Sequence, residues 1–119
     1  MQTQDIANRL VQHCRKGDFE SAQKELFSAD AVSIEPHATP VAEKETKGIS
    51  AIKKKGEKWN SMVKEMNGIT VSDPLTSSNS FACTMRMKVT MKDGGPMDMS
   101  ELCVYQVKDG KIISEQFFM

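Results

Sequence analysis

Several things a chain can carry in excess are scarce here, and each scarcity removes a class of function. The 16 basic and 16 acidic residues cancel to a formal charge of zero. A basic surplus able to neutralise nucleic-acid phosphates or meet an anionic membrane surface is therefore missing. No stretch approaches the roughly 18 apolar residues that a membrane span requires. The opening Met1-Gln2-Thr3-Gln4-Asp5 is polar and lacks the apolar segment of a secretory signal. Two histidines, His13 and His37, are too few and too distant for a metal cluster. Cys14, Cys83 and Cys103 are an odd number with no CxxC spacing, which argues against a disulfide framework or a zinc site. They read as small hydrophobes in a reducing cytoplasm. No GxSxG elbow occurs, and Gly94-Gly95 reads as a hairpin and not as a phosphate cradle. No nucleic acid, membrane, metal or cofactor is expected as a partner.

What is present is the composition of one ordinary globular domain over residues 1–119, with 39% hydrophobic and 27% charged residues. Ile6, Leu10, Val11 and Cys14 recur at helical spacing between about Thr3 and Lys16, and Gly17 ends that helix. Asp18 is placed to cap a second helix reaching about Phe27. A short strand over Ala31–Glu35 stops at Pro36, and the polar stretch to Lys47, with Pro40 inside it, reads as a loop or marginal edge strand. After Gly48 the residues Ile49, Ile52, Gly56, Trp59, Val63 and Met66 step by three and four. That stripe predicts one long helix closed by Asn67-Gly68, with Gly56 packed closely against a neighbour and Lys53, Lys54, Lys55 and Lys58 on the solvated side.

Strands fill the rest. Ile69 to about Asp73, Phe81 to Met91, Met97 to Val107 and Lys111 to Met119 are separated by turn-rich segments. Asp109-Gly110 is a strong two-residue hairpin signal. Helices first and a meander last predict an α+β domain, with a largely apolar pocket between helices and a curved antiparallel sheet.

Alternation along the strands sorts residues onto two faces. Phe81, Cys83, Met85, Met87, Met99, Glu101, Cys103, Tyr105, Ser114, Gln116 and Phe118 are expected inside, against the helices. Most of the nine methionines fall on this face, as core filling. Arg86, Leu102, Val104, Ile113, Glu115 and Phe117 are expected outside. Leu102, Val104, Ile113 and Phe117 then form an apolar patch suited to homodimerisation, and Glu115 pairs with Arg86 or across the dimer. Glu101 is the odd inner residue. A carboxylate there either finds a partner or holds its proton, so it is a general acid/base, an anchor for a polar ligand group, or a strand-end glutamate satisfied structurally. His37, after Glu35-Pro36 where the first strand leaves the sheet, is either a pocket acid/base near neutral pH or an ordinary loop histidine. His13 is a boundary residue.

The order of elements adds a resemblance. Leu26-Phe27-Ser28-Ala29-Asp30-Ala31-Val32-Ser33-Ile34 follows two short helices, and Val107-Lys108-Asp109-Gly110-Lys111-Ile112 precedes the last strand. Together they resemble the nuclear transport factor 2-like superfamily, and within it the SnoaL-like proteins, over nearly the whole chain. The resemblance implies a cone-shaped α+β barrel, three N-terminal helices packed on a curved antiparallel sheet, open at one end and often dimeric through the outer sheet face. Members include polyketide cyclases, ketosteroid isomerases, dehydratases and nuclear transport adaptors, so the fold leaves function open. Nothing specific to the adaptors' partner-binding surface is matched here. Catalytic members use an Asp or His in the cone, whereas no inner-face Asp is evident on these strands.

Three functions stay in view. The first is cofactor-free acid/base chemistry on a small apolar, ring- or carbonyl-bearing metabolite. Glu101 and His37 would then be catalytic, in a pocket lined by Trp59, Tyr105, Glu35, Met85, Cys103 and Phe118. The second is a non-catalytic dimeric protein that binds such a metabolite. The third is a dimerisation module whose cone is filled by Met and Phe side chains.

Overall fold

The computed structural model describes residues 1–39 and 42–119; Pro40, within the stretch expected as a loop or marginal edge strand, lies outside the described residues. The helices are α1 (Thr3–Arg15), α2 (Phe19–Leu26) and α3 (Ile49–Met62). Local chemistry sets their ends. The Gly17 N–H donates to the Cys14 carbonyl and the Asp18 N–H to that of His13, with Gly17 at φ +70° closing α1. The Asp18 carboxylate accepts from the Ser21 backbone N–H at 3.1 Å and from the Ser21 hydroxyl at 2.7 Å, capping α2.

The strands are β1 (Phe27–Ile34), β2 (Glu45–Lys47), β3 (Val63–Val71), β4 (Leu75–Ser77), β5 (Ser80–Met91), β6 (Gly95–Lys108) and β7 (Lys111–Phe118). They form one open sheet in the order β2-β1-β7-β6-β5-β3, with β4 also on β5. The neighbours are antiparallel except for β1 and β7, which run parallel. The expected antiparallel sheet is thus a mixed one, because β1 enters from the helices and cannot reach β7 through a hairpin. Register shifts in the β1–β7, β3–β5 and β6–β7 pairings bend the sheet round the helices. The core lies in that concavity, where Ile6, Leu10, Leu26, Ile52, Val89, Cys103 and Ile112 are fully buried.

The segment after Asp73, expected as a turn-rich loop, holds the short strand β4 paired with β5. Three further expectations change. The long helix stops at Met62, and Val63 to Met66 pair with β5, with Val63 opposite Met91 and Met66 opposite Val89. A spacing of three and four continues to suit a helix there, but the outer edge of β5 offers backbone partners that local periodicity cannot reveal. Gly56 does not pack closely, since a Cβ at that position would meet nothing within 4 Å. The third change is in β7. Across Lys92-Asp93-Gly94 the register of β5 and β6 holds, with Met85 opposite Glu101 and Cys83 opposite Cys103. Across Asp109-Gly110 it does not. Val107 faces Ile112, yet Gln106 already faces Ser114, so Ile113 is the extra residue of a bulge. Every later side chain changes face. Glu115 and Phe117 turn inward opposite Tyr105 and Cys103, and Phe118 turns outward opposite Leu102. Ser114 and Gln116, expected inside, leave the inner face with it.

A candidate active site in the sheet concavity

Between the helices and the inner sheet face lies a hollow of about 430 Å³. Among the residues expected to line it, Trp59, Tyr105, Glu35, Met85, Glu101 and His37 do so. Cys103 is fully buried and does not reach the hollow; its thiol points toward Glu101 Oε1 at 3.9 Å. Phe118 is 46% exposed on the opposite sheet face, moved there by the Ile113 bulge, and cannot line the hollow. Phe117 takes its place on the wall. Met85, Met87 and Met99 line the space and do not fill it. The Tyr105 wall is braced by Phe81, the opposite residue on β5, whose ring stacks on it at 4.7 Å between centroids and 17° between planes.

The polar part of the site is a line of four side chains. Ser33 and Glu35 sit two apart on β1 and so share a face. Lys55 of α3 reaches down between them, its Nζ donating to Ser33 Oγ at 2.6 Å and to Glu35 Oε1 at 3.0 Å. Ser33 is fully buried and in turn donates to Glu115 Oε1 at 2.9 Å. The two are register partners of the parallel β1–β7 pair. The Lys55 ammonium also stands 5.9 Å from the centre of the Phe117 ring. Glu115 is buried at 7% exposure. The expected Glu115–Arg86 pair therefore does not form, and Arg86 instead makes a two-pronged contact with Asp98 at 3.0 and 2.7 Å.

Electrostatics follow from this burial. Burial is the main cause that pushes the Glu101 carboxyl up to about 7; Glu35 and Glu115 add to it and Lys55 opposes it. Burial also raises Glu115 to about 7, against the Ser33 hydrogen bond and the Lys55 charge and with the Glu35 charge. The Cys14 thiol at the hollow's edge is pushed up to about 12, chiefly by burial, and stays protonated. Among the described residues no three His, Cys, Asp or Glu side chains gather as a metal-binding group. A further hollow of about 440 Å³, between the first four residues and the Asp109-Gly110 hairpin, is lined mainly by small polar groups and holds none of this chemistry.

Three members of the site escaped sequence reasoning. Lys55 was grouped with the solvated lysines, although it lies three residues after Ile52 and four before Trp59, on the inward stripe of α3. Lys53 and Lys54 are exposed, as expected. Ser33 alternates correctly with the buried Ala31 but carries no signal of its own. Glu115 left one trace: Ile112-Ile113 breaks the alternation at the bulge.

Among solved structures the chain is similar to one from Mesorhizobium loti described as a candidate SnoaL-like polyketide cyclase, with carbohydrate phosphatase given beside it, at 29% identity and a TM-score of 0.91, with 100% of each chain covered. It is similar in fold to IdmH, a candidate polyketide cyclase from Streptomyces antibioticus, at 21% identity and TM-score 0.74, covering 99% of this chain and 91% of that one. A nuclear transport factor 2-like protein of unknown function from Burkholderia pseudomallei shares the fold at 10% identity and TM-score 0.80, covering 100% and 92%. No curated protein matches significantly. The profile of the SnoaL-like domain matches residues 1–119, and the chain therefore belongs to the SnoaL-like domain family.

Proposed function

We propose that this chain binds a small, largely apolar and uncharged metabolite in the sheet concavity and moves a proton on it, in chemistry of the isomerase, cyclase or dehydratase type. The observation that carries the reading is Glu101, a carboxyl near neutrality on the wall of an otherwise apolar hollow. A group titrating near the working pH both gives and takes protons readily. Phe19, Phe27, Trp59 and Phe117 with Met85 and Met87 suit ring-bearing carbonyl compounds, and the volume falls within the range of about 300–1,000 Å³ typical of ligand sites. An anionic substrate is disfavoured, because Glu35, Glu101 and Glu115 line the hollow against Lys55, already engaged by Glu35 and Ser33, and the exposed Lys58 at its edge. His37 at the rim assists proton exchange with solvent. The description of the M. loti protein as a polyketide cyclase is in keeping with the cyclase type of chemistry.

A second copy of the chain belongs to this reading. Leu102 and Phe118, directly paired on the outer sheet face, are 41% and 46% exposed, and with Val104 and Ile113 they offer an apolar surface for a homodimer. Three free, buried thiols suit the reducing cytoplasm.

Trp59 is the one tryptophan in the chain and stands on the wall, so its fluorescence reports occupancy. Cyclic ketones such as 2-tetralone should quench it in the wild type and in Glu101→Gln alike. Deuterium exchange at the carbon beside the carbonyl should be accelerated by the wild type only. Quenching without any acceleration would leave a binding protein, the second reading. No response to any apolar carbonyl compound would overturn both.

A further inference from the structure

The proposed chemistry names a proton carrier but leaves open which of two inward carboxyls holds the proton. The hydrogen bonds around Ser33 answer this. An ammonium donates and cannot accept. Lys55 Nζ, 2.6 Å from Ser33 Oγ, therefore takes up acceptor capacity of the serine. The one hydroxyl proton of Ser33 is left to point at Glu115 Oε1, 2.9 Å away. Glu115 thus receives a hydrogen bond strengthened by a cation behind it, an arrangement that favours the ionised carboxylate. Among the described residues Glu101 has no such donor: its hydrogen-bond partner there is the weakly donating Cys103 thiol at 3.9 Å.

We infer that Lys55 and Ser33 are positioning residues that keep Glu115 as the ionised member of a two-carboxyl pair whose protonated member is Glu101. The inference rests on the proposed function. It turns the hollow into a site with a base on β7 and an acid on β6. Glu115 lies level with Tyr105, and Glu101 lies four residues back along β6. A carbonyl compound lying between them would lose a carbon-bound proton to Glu115 while Glu101 delivers its own proton to the carbonyl oxygen. The product is the neutral enol, with Glu115 protonated and Glu101 ionised. Return of the oxygen-bound proton to Glu101, with delivery from Glu115 to carbon, restores both groups. Protons and electrons balance with no further reactant.

Glu115 is faced by Ser33 and Glu35 from β1, Lys55 from α3, Tyr105 and Glu101 from β6, and Cys14 from α1. Of these, Lys55 and Ser33 favour its charge and Glu35 opposes it. Removing Lys55 should therefore raise Glu115 more than it raises Glu101.

The test is carboxyl-carbon NMR of the full chain labelled at glutamate Cδ, titrated from pH 4 to 9. Assignment comes from Glu101→Gln and Glu115→Gln. In the wild type the Glu115 midpoint should fall below the Glu101 midpoint. In Lys55→Met the Glu115 midpoint should rise by about one pH unit, a tenfold change in its protonation equilibrium, with a smaller rise at Glu101. Ser33→Ala should raise Glu115 alone, and Lys55→Arg should restore the wild-type order. A Glu115 midpoint above that of Glu101 in the wild type would overturn the inference, and so would equal movement of both groups in Lys55→Met. If either Gln variant fails to fold, through-bond correlation of each labelled carboxyl to its own backbone amide supplies the assignment. None of these readouts needs a ligand: silence of Trp59 with every ketone defeats the proposed function but leaves the midpoint order intact, whereas a reversed order with normal quenching defeats the inference alone.

Discussion

Ser33 and Glu115 are 82 positions apart in sequence, yet the serine hydroxyl donates to the carboxylate across 2.9 Å inside the sheet. The contact exists because β1 lies parallel to β7 with these two residues in register, and because the bulge at Ile113 has turned Glu115 inward. The polar half of the site depends on that single extra residue. The same bulge exchanges Phe117 and Phe118 between wall and surface.

Removing the hydroxyl should be felt as lost stability. Ser33→Ala takes from Glu115 its hydrogen-bond donor and leaves Lys55 held by Glu35 alone, at a cost of about 1–3 kcal/mol. Chemical denaturation at pH 7 should show this as a lower midpoint with an unchanged slope. A variant as stable as the wild type would mean that water replaces the hydroxyl without penalty.

Stability should fall with rising pH across the neutral range. Glu101 and Glu115 have an ordinary value of 4.5 and stand near 7 in the fold. Between those values the folded state binds more protons than the unfolded one, so unfolding is increasingly favoured as pH rises through the window, with no further loss above it. Glu25 works the other way at the acid end. Its hydrogen bonds from Arg9 and then His13 hold it down at about 2, so the stability it contributes is lost as pH falls from 4.5 toward 2. The thermal midpoint should peak near pH 5 and decline toward pH 8. The double variant Glu101→Gln, Glu115→Gln should remove most of the decline, as thermal melts over that range would show.

Gly56 lines the hollow with open space where its side chain would be. Gly56→Leu should therefore raise helix stability by up to about 1 kcal/mol while occupying ligand volume. A higher thermal midpoint together with loss of ketone-induced Trp59 quenching is expected. A large drop in midpoint would mean that the helix packs against the sheet at this point after all.

The two neighbouring phenylalanines should behave oppositely. Phe118→Lys, together with Leu102→Lys, should shift sedimentation toward the monomer and remove the concentration dependence of the melting temperature, because both side chains are on the outer face and outside the core. Phe117→Lys brings a second ammonium beside Lys55 and Phe117's place in the wall. It should destabilise by more than about 2 kcal/mol, read by the same melts.

Periodicity carried much of this site and missed a part of it for identifiable reasons. Glu101 and Tyr105 were legible as inner-face residues because the turn at Gly94 preserves alternation, and Trp59 because α3 is regular around it. Glu35 and His37 were legible from their place at the end of β1. Lys55 was hidden by its type: a lysine among lysines reads as solvated, and only the opposing Ser33 and Glu35 show that its ammonium is held inside. Cys103 faces inward as expected, but depth beneath a wall is a distance and not a periodicity.

The sequence by itself determined the class, the order of the helices and long strands, the end of α1 and the cap of α2, the pairing of β5 with β6 and the apolar character of the concavity. Each of these follows from residue type and local spacing, which act over a few residues along the chain. Only the tertiary structure decided that α3 ends at Met62, that β1 runs parallel to β7, and that Glu115 and not Phe118 faces the hollow. Those outcomes depend on which backbone groups find partners across the sheet. A bulge of one residue costs little locally yet turns every side chain after it to the other face.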